Sequence, residues 1–363
     1  MENKNITFVI GSLVGGGAEA VCVNIANGLA ARGWHITIVV MHLKNAAYID
    51  RVHEDVKVHS LNVSNARYAF IPLLKYFKQS TSRSALIFNY ELAIQLVLIR
   101  KLLGKRIKLI ARNINTISEK RKMTKSLWRK ALVDPLIDLL YFRVDCVVNQ
   151  CKGMEDDLLK IHPKLKGKSV VINNPVNELV EDYACNNNLT HRDRENYILC
   201  IGRLEKQKAF HLAIEAFAEA YSQLPGYRLK IVGKGSLEQD LKSLAKQKGI
   251  ENLVDFEGFQ TNTIPYYIKA RCTLLTSHFE GFPNVLVESI SLGTPVISLD
   301  CPSGPSEIIT TENGCLVEKN NNNELVKAML KVLNKEWDVK SVKQSSDRFS
   351  LQAALMKYQT VLQ

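Results

Sequence analysis

Tyr197-Ile198-Leu199-Cys200-Ile201-Gly202-Arg203-Leu204-Glu205-Lys206-Gln207-Lys208 opens with an apolar run, turns at a glycine and ends in a basic loop. A short apolar run closed by glycine reads as a buried strand. Phe210–Gln223 follows with helical spacing, so the stretch is strand, turn, helix. The chain has already begun this way once. Ile6–Ile10 reads as a strand, Ser12–Gly17 as a glycine-rich turn and Ala18–Arg32 as a helix stopped by Gly33. One pattern, started twice, predicts two α/β domains.

Working outward, the first half adds strands at Ile36–Met41, Val56–Leu61, Ala85–Asn89, Lys108–Arg112, Cys146–Asn149 and Val170–Asn174, and a helix at Asp134–Phe142. Pro135 is tolerated in that helix's first turn. The polar stretch Asn177–Asn196 reads as a linker. The second half adds strands at Leu229–Val232, Val254–Phe256, Cys272–Thr276 and Pro295–Leu299. Its helices are Leu237–Lys248, Val285–Leu292, Glu324–Leu333 and Leu351–Leu362. Strands separated by helices imply parallel sheets with right-handed crossovers. Such sheets bind ligands at the carboxyl ends of their strands. Two of them would most economically face those ends into one shared cleft.

Composition excludes several classes. The 363 residues are enough for two cores, and 46% hydrophobic with 23% charged is ordinary for a folded protein. The eight cysteines are scattered and form no Cys-x-x-Cys pair, which argues against a zinc ribbon or a dithiol site and for a reducing compartment. No stretch reaches the roughly 20 apolar residues of a membrane span, and Ile6–Gly11 leads into a glycine loop rather than a cleavage site. The expectation is a cytoplasmic protein. The net charge is +12, and the window Arg100–Lys130 holds twelve Lys or Arg against one acid, Glu119. Leu127 and Trp128 lie within it, as in helices that rest on anionic membrane surfaces. A solvated basic face is the alternative; no recognition motif points to nucleic acid.

Three loops carry chemistry. Gly11-Ser12-Leu13-Val14-Gly15-Gly16-Gly17 lets a ligand approach the backbone at a helix N-terminus. It lacks the spacing of a nicotinamide site and the Lys-Ser/Thr ending of a P-loop; a plain tight turn is the alternative. Gly202 to Lys208 places Arg203 and Lys208 at a strand's carboxyl end, where they suit a diphosphate. Ser277-His278-Phe279-Glu280-Gly281-Phe282-Pro283-Asn284-Val285-Leu286-Val287-Glu288 follows another strand. Its two carboxylates, Glu280 and Glu288, can accept hydrogen bonds from vicinal hydroxyls of a ribose or hexose. The helix starting near Asn284 aims its N–H groups at phosphate.

With these residues in view, the chain resembles the retaining GT-B glycosyltransferases of family four. The resemblance rests on the first glycine loop, Gly202-Arg203-Leu204 with Lys208, Gly233-Lys234-Gly235, Glu280-x7-Glu288 and Gly293-Thr294-Pro295-Val296-Ile297. Ser303-Gly304-Pro305-Ser306-Glu307-Ile308-Ile309 is similar to the branch that builds bacterial surface polysaccharides. The resemblance implies an acceptor domain over 1–175, rejoined by a terminal helix at 348–363, and a nucleotide-sugar domain over 176–347. It implies a UDP-sugar donor, and as acceptor a saccharide linked to polyprenyl diphosphate. Arg203 and Lys208 would hold the diphosphate and Glu280 the transferred sugar, with Glu288 on the ribose. Gly16, Gly17, Gly202, Gly233 and the backbone of Gly281, Phe282, Pro283, Asn284, Val285 and Leu286 would line the donor. Phe259 and its neighbours would hold the base.

Three further points complete the expectation. No metal and no cofactor are called for, since no Asp-x-Asp loop or histidine spacing suggests one. Ala209 stands where many members have glycine. Ile110-Ala111-Arg112-Asn113 stands where many carry a sugar-contacting histidine, which leaves Arg112 and Asn113 as acceptor-side candidates. The basic stretch 100–130 would seat the protein on the cytoplasmic face of the membrane. Rival readings are a GT-B sugar-nucleotide epimerase and a non-catalytic carbohydrate-binding protein.

Overall fold

The computed structural model describes residues 4–123, 134–190, 194–318 and 321–363. The chain forms two compact units. One comprises everything up to Asn177 together with Leu351–Gln363, and the other is Glu178–Ser350.

The first unit is a seven-stranded, wholly parallel sheet. Its strands are β1 (Asn5–Ile10), β2 (His35–Val40), β3 (Val56–Ser60), β4 (Ser84–Ile87), β5 (Lys108–Arg112), β6 (Cys146–Asn149) and β7 (Ser169–Val171), in the order β3-β2-β1-β4-β5-β6-β7. Alternation explains the layers. Ile6, Phe8 and Ile10 of β1 point to one face, where they meet the helix Gly17–Ala30 and the terminal helix Leu351–Leu362. Val9 points to the other face, among residues of the helices Phe70–Gln79 and Tyr90–Leu103. A strand buried on both sides reads as a continuous apolar run, which is why these strands are legible in the sequence. The terminal helix belongs to this unit: Ala354, Leu355, Tyr358 and Leu362 are buried in it. Leu355 fits so closely against Gly28 that a Cβ there would lie 2.5 Å from its Cδ1.

The second unit is a six-stranded parallel sheet of β8 (Tyr197–Ile201), β9 (Arg228–Val232), β10 (Val254–Gly258), β11 (Cys272–Leu275), β12 (Val296–Leu299) and β13 (Gly314–Val317), ordered β10-β9-β8-β11-β12-β13. In each sheet the strand order reverses beside its first strand, between β1 and β4 and between β8 and β11. That reversal opens a crevice at the carboxyl edge, the place where ligands enter such sheets.

The structure corrects three readings. The stretch Asn177–Asn196 is not all linker, because Glu178–Asn186 is a helix with Val180 and Ala184 buried on one face. Its acids, Glu178 and Glu181, favour the N-terminal end of the helix dipole. β13 is a strand the sequence reading passed over; four residues are too short to show a period. The run of basic residues from Arg100 is not one surface. Arg112 is buried, Arg100 pairs with Asp145, and Lys105 donates to the carbonyls of Phe77, Lys78 and Ser80. Arg121 pairs with Asp138 and Lys122 with Glu119. Lys125, Leu127, Trp128, Arg129 and Lys130 lie outside the described residues.

Candidate functional site

The crevice between β8 and β11 gathers the chemistry. β8 delivers Gly202 to Ala209, and β11 delivers Thr276 to Pro283. Lys208 Nζ on the first loop donates to Glu280 Oε1 on the second at 2.7 Å. Both side chains are largely buried, with 15% and 8% of each exposed. Residues 72 apart in sequence thus form one ion pair at the switch point. The two loops are stitched elsewhere as well. Thr276 Oγ1 donates to the carbonyls of Lys208 and Ala209, each at 3.1 Å. His278 N donates to Gln207 O at 2.9 Å, and Gln207 Nε2 donates to Phe279 O at 3.0 Å. Arg203 is exposed, and its side chain makes no hydrogen bond or ion pair among the described residues.

Glu288 lies just past the first turn of the helix Asn284–Ser291, half-buried, and accepts a hydrogen bond from Tyr267 Oη at 3.0 Å. Tyr267 is fully buried. Burial first, and then the Glu288 carboxylate, hold its phenol well above the usual range, so it remains a donor. Thr294 of the Gly-Thr-Pro motif supports this pair by donating to Tyr267 O at 2.7 Å. Arg194, also buried, donates to the hydroxyl of Thr294 at 2.7 Å and to Gly293 O at 2.8 Å.

Both helices that open this crevice are left without side-chain caps. Phe210–Ala220 starts after Ala209 and Asn284–Ser291 after Pro283, and neither has an acid in its first turn. An anion is the natural partner for such termini.

Side-chain placement divides the expected donor residues. Leu286 and Phe282 are buried, Phe282 packing edge-on against Phe349 with ring centroids 5.4 Å apart. Their side chains belong to the core, so these two residues have only backbone to offer a ligand. Pro283 and Gly281 are buried, while Asn284 and Val285 are half-buried. Phe259, just after β10, is 49% exposed and offers a flat apolar face. Gly233 has a structural role: a Cβ there would lie 1.8 Å from Gly202 O, and φ is +147°. Gly235 is as tight, 2.4 Å from Leu204 O. These glycines let the loop after β9 seat the loop after β8, with Leu204 N donating to Lys234 O at 3.0 Å. Ala209 adopts φ 48° and ψ 41°, the left-handed region that L-residues avoid. Thr276 holds it there through the two carbonyl bonds.

The first unit's crevice, between β1 and β4, is different. Gly16 begins the helix Gly17–Ala30, but Glu19 folds back over it: a Gly16 Cβ would lie 2.6 Å from Glu19 Oε2. A carboxylate already sits at this helix N-terminus, so the phosphate expected at Gly16 and Gly17 would meet like charge.

Arg112 and Asn113 lie at the end of β5, away from solvent, with 1% and 2% exposed. Arg112 Nε donates to Tyr358 Oη at 3.1 Å and Nη2 to Asn174 Oδ1. Its guanidinium lies 5.1 Å from the Phe88 ring centroid. Asn113 bonds Asn149 and Tyr141, each at 2.7 Å. Both residues are therefore structural: Arg112 fastens the terminal helix. The sequence reading missed Ser277, Tyr267, Thr276 and Arg194, which hold the site from below. Only Ser277 carried a local signal, three residues before Glu280. Among the described residues no cluster of three or more His, Cys, Asp or Glu could hold a metal.

Family models match both units: "Glycosyltransferase Family 4" over residues 15–178 and "Glycosyl transferases group 1" over residues 186–352. Fold and site together define a glycosyltransferase of GT-B architecture. The chain belongs to glycosyltransferase family four. It is 27% identical over 349 residues to N-acetylgalactosamine-N,N'-diacetylbacillosaminyl-diphospho-undecaprenol 4-alpha-N-acetylgalactosaminyltransferase of Campylobacter jejuni, covering 91% of this chain and 90% of that one. Its fold matches the lipopolysaccharide outer core galactosyltransferase WaaB, with TM-score 0.75, 19% identity and 99% of each chain covered. It also matches Anabaena Alr3699/HepE, solved with UDP, with TM-score 0.79, 18% identity and 99% of each chain covered.

Proposed function

We propose that the protein moves a hexose or N-acetylhexosamine from a UDP-sugar, with retention, to a saccharide carried on polyprenyl diphosphate. The product would serve assembly of a cell-surface polysaccharide. The observation that carries the donor site is the Lys208–Glu280 pair at the β8/β11 crevice, beside the unpaired Arg203 and two uncapped helix N-termini. The Campylobacter relative's diphospho-undecaprenol acceptor, and the UDP held by the Anabaena fold relative, support the choice of substrates.

The chemistry follows from charge. The bond between the sugar's anomeric carbon and the diphosphate oxygen breaks, leaving an oxocarbenium-like sugar and new negative charge on UDP. Arg203 and Lys208 stabilise that charge where it appears, and this is the largest expected contribution. They can take the part a divalent metal plays elsewhere. In front-face attack the acceptor hydroxyl bonds to the same face of the sugar, and its proton passes to the departing phosphate oxygen. Glu280 holds the sugar and Glu288 the ribose, so that positioning supplies much of the remainder.

Membrane seating is supported by exposed apolar residues in the first unit. Leu102 is 66% exposed and Leu139 62%. Leu139 shares a shallow groove with Arg100, Lys101 and Arg143. No helix among the described residues is long and apolar enough to cross a membrane. Sedimentation with anionic vesicles should fall for Lys101→Glu with Leu139→Asp, and unchanged binding would remove this part.

The deciding experiment is nucleotide release from a panel of UDP-, GDP- and ADP-sugars, with and without EDTA. Slow release of UDP from one sugar, surviving EDTA, is expected. Release without acceptor that yields an epimerised sugar would favour an epimerase instead. Binding with no turnover on any acceptor would leave a carbohydrate-binding protein.

A further inference from the structure

Ser277 is 1% exposed in the loop after β11. Its Oγ donates to Glu280 Oε1 at 2.6 Å. Lys208 Nζ donates to that same oxygen at 2.7 Å. One carboxylate oxygen therefore carries two donors of different kinds, a neutral buried hydroxyl and a flexible cation.

Their fates differ once an anion arrives. Lys208 is at the end of the basic turn, and its ammonium is a point charge on a flexible stem. A diphosphate offers it more charge than one carboxylate does, so it can leave Glu280 for the ligand. Ser277 has no charge to follow. Its loop is tied to the β8 turn on both sides, by Thr276 Oγ1 to the carbonyls of Lys208 and Ala209 and by His278 N to Gln207 O. Each donor taken from a largely buried carboxylate has a desolvation cost, and it frees the carboxylate to move.

We propose that Ser277 is a positioning residue: it keeps Glu280 aimed at the transferred sugar when the donor diphosphate draws Lys208 away. The inference rests on the nucleotide-sugar reading above. It makes a distinction that a purely structural serine would not. Glu280 serves the sugar, so loss of Ser277 harms recognition of the sugar and spares that of the nucleotide.

The test compares Ser277→Ala, Ser277→Thr and Tyr267→Phe in the full chain, measuring by calorimetry the Kd for UDP and for the UDP-sugar that the wild type hydrolyses, with kcat for that sugar. Ser277→Ala should melt near the wild type, hold UDP within about twofold, and bind the UDP-sugar roughly tenfold more weakly, the scale of one hydrogen bond to a charged group. Ser277→Thr, which keeps the hydroxyl, should restore most of that loss. Tyr267→Phe, acting on Glu288, should weaken UDP and UDP-sugar alike. Equal weakening of both ligands by Ser277→Ala would overturn the proposal, as would no weakening of either. Should the wild type bind no sugar nucleotide at all, the functional reading falls and this inference with it; a wild type that binds, beside a Ser277→Ala that binds equally, sinks this inference alone.

Discussion

The crevice between β1 and β4 and the crevice between β8 and β11 occupy the same place in the same kind of sheet, yet their charges are opposed. In the first, both entering helices carry an acid in the opening turn, Glu19 and Glu91, and Asn89 caps the second by accepting from Glu91 N at 2.7 Å. In the second, neither helix has an acid or a side-chain cap, and Arg203 and Lys208 lie on the loop that leads into the first of them. A helix N-terminus attracts anions only while it is not already neutralised. The fold alone therefore does not say where a phosphate binds. The first turns of these four helices differ in charge, and only those of the second unit leave the helix dipole open to an anion.

The largest blow to this contrast would come from Lys208. Lys208→Met should lower kcat about 100- to 1,000-fold, the loss seen when one group stabilising a developing anion is removed. Turnover within fivefold of wild type would mean that the second crevice is not where the leaving group sits.

Tyr358→Phe addresses the other unit. It removes the acceptor of Arg112 Nε and leaves a buried donor unpaired, costing about 1–3 kcal/mol. Urea unfolding should show that loss while UDP affinity stays unchanged. A matching loss of UDP affinity would show that the donor depends on the first unit.

Ala209→Gly probes the strained turn, where two effects oppose. Relief of the left-handed conformation is worth about 1–2 kcal/mol, and glycine's extra freedom in the unfolded chain costs about 0.4–1 kcal/mol. The net expectation is a stabilisation of about 0.5–1 kcal/mol in urea. Destabilisation would mean that the Cβ of Ala209, buried beneath the loop, contributes more by packing than its backbone loses.

The smallest effect belongs to Glu19→Gln, which should change UDP affinity less than about twofold, because the proposed phosphate site lies in the second unit. Tightening of tenfold or more would place the phosphates at Gly16 and undo the comparison.

Local sequence determined much of this. Strands buried on both faces are apolar runs, so Tyr197–Ile201 and Ile6–Ile10, each followed by a glycine turn and a helical pattern, announce two parallel sheets without any contact being known. Arg203, Lys208 and Glu280 stood out in the sequence because each lies in a loop that follows a strand, where carboxylates and cations have few structural uses, and Glu288 because it follows Glu280 at the fixed spacing of the motif. Tertiary structure decided the rest. Only the sheet order brings Lys208 to Glu280, across 72 residues. Only packing shows that Gly233 serves the neighbouring loop, that Arg112 holds the terminal helix through Tyr358, and that Tyr267 lies beneath Glu288. A residue's type and its local period depend on near neighbours along the chain. Its hydrogen-bond partner depends on which strands the sheet places side by side, and no window of sequence contains that.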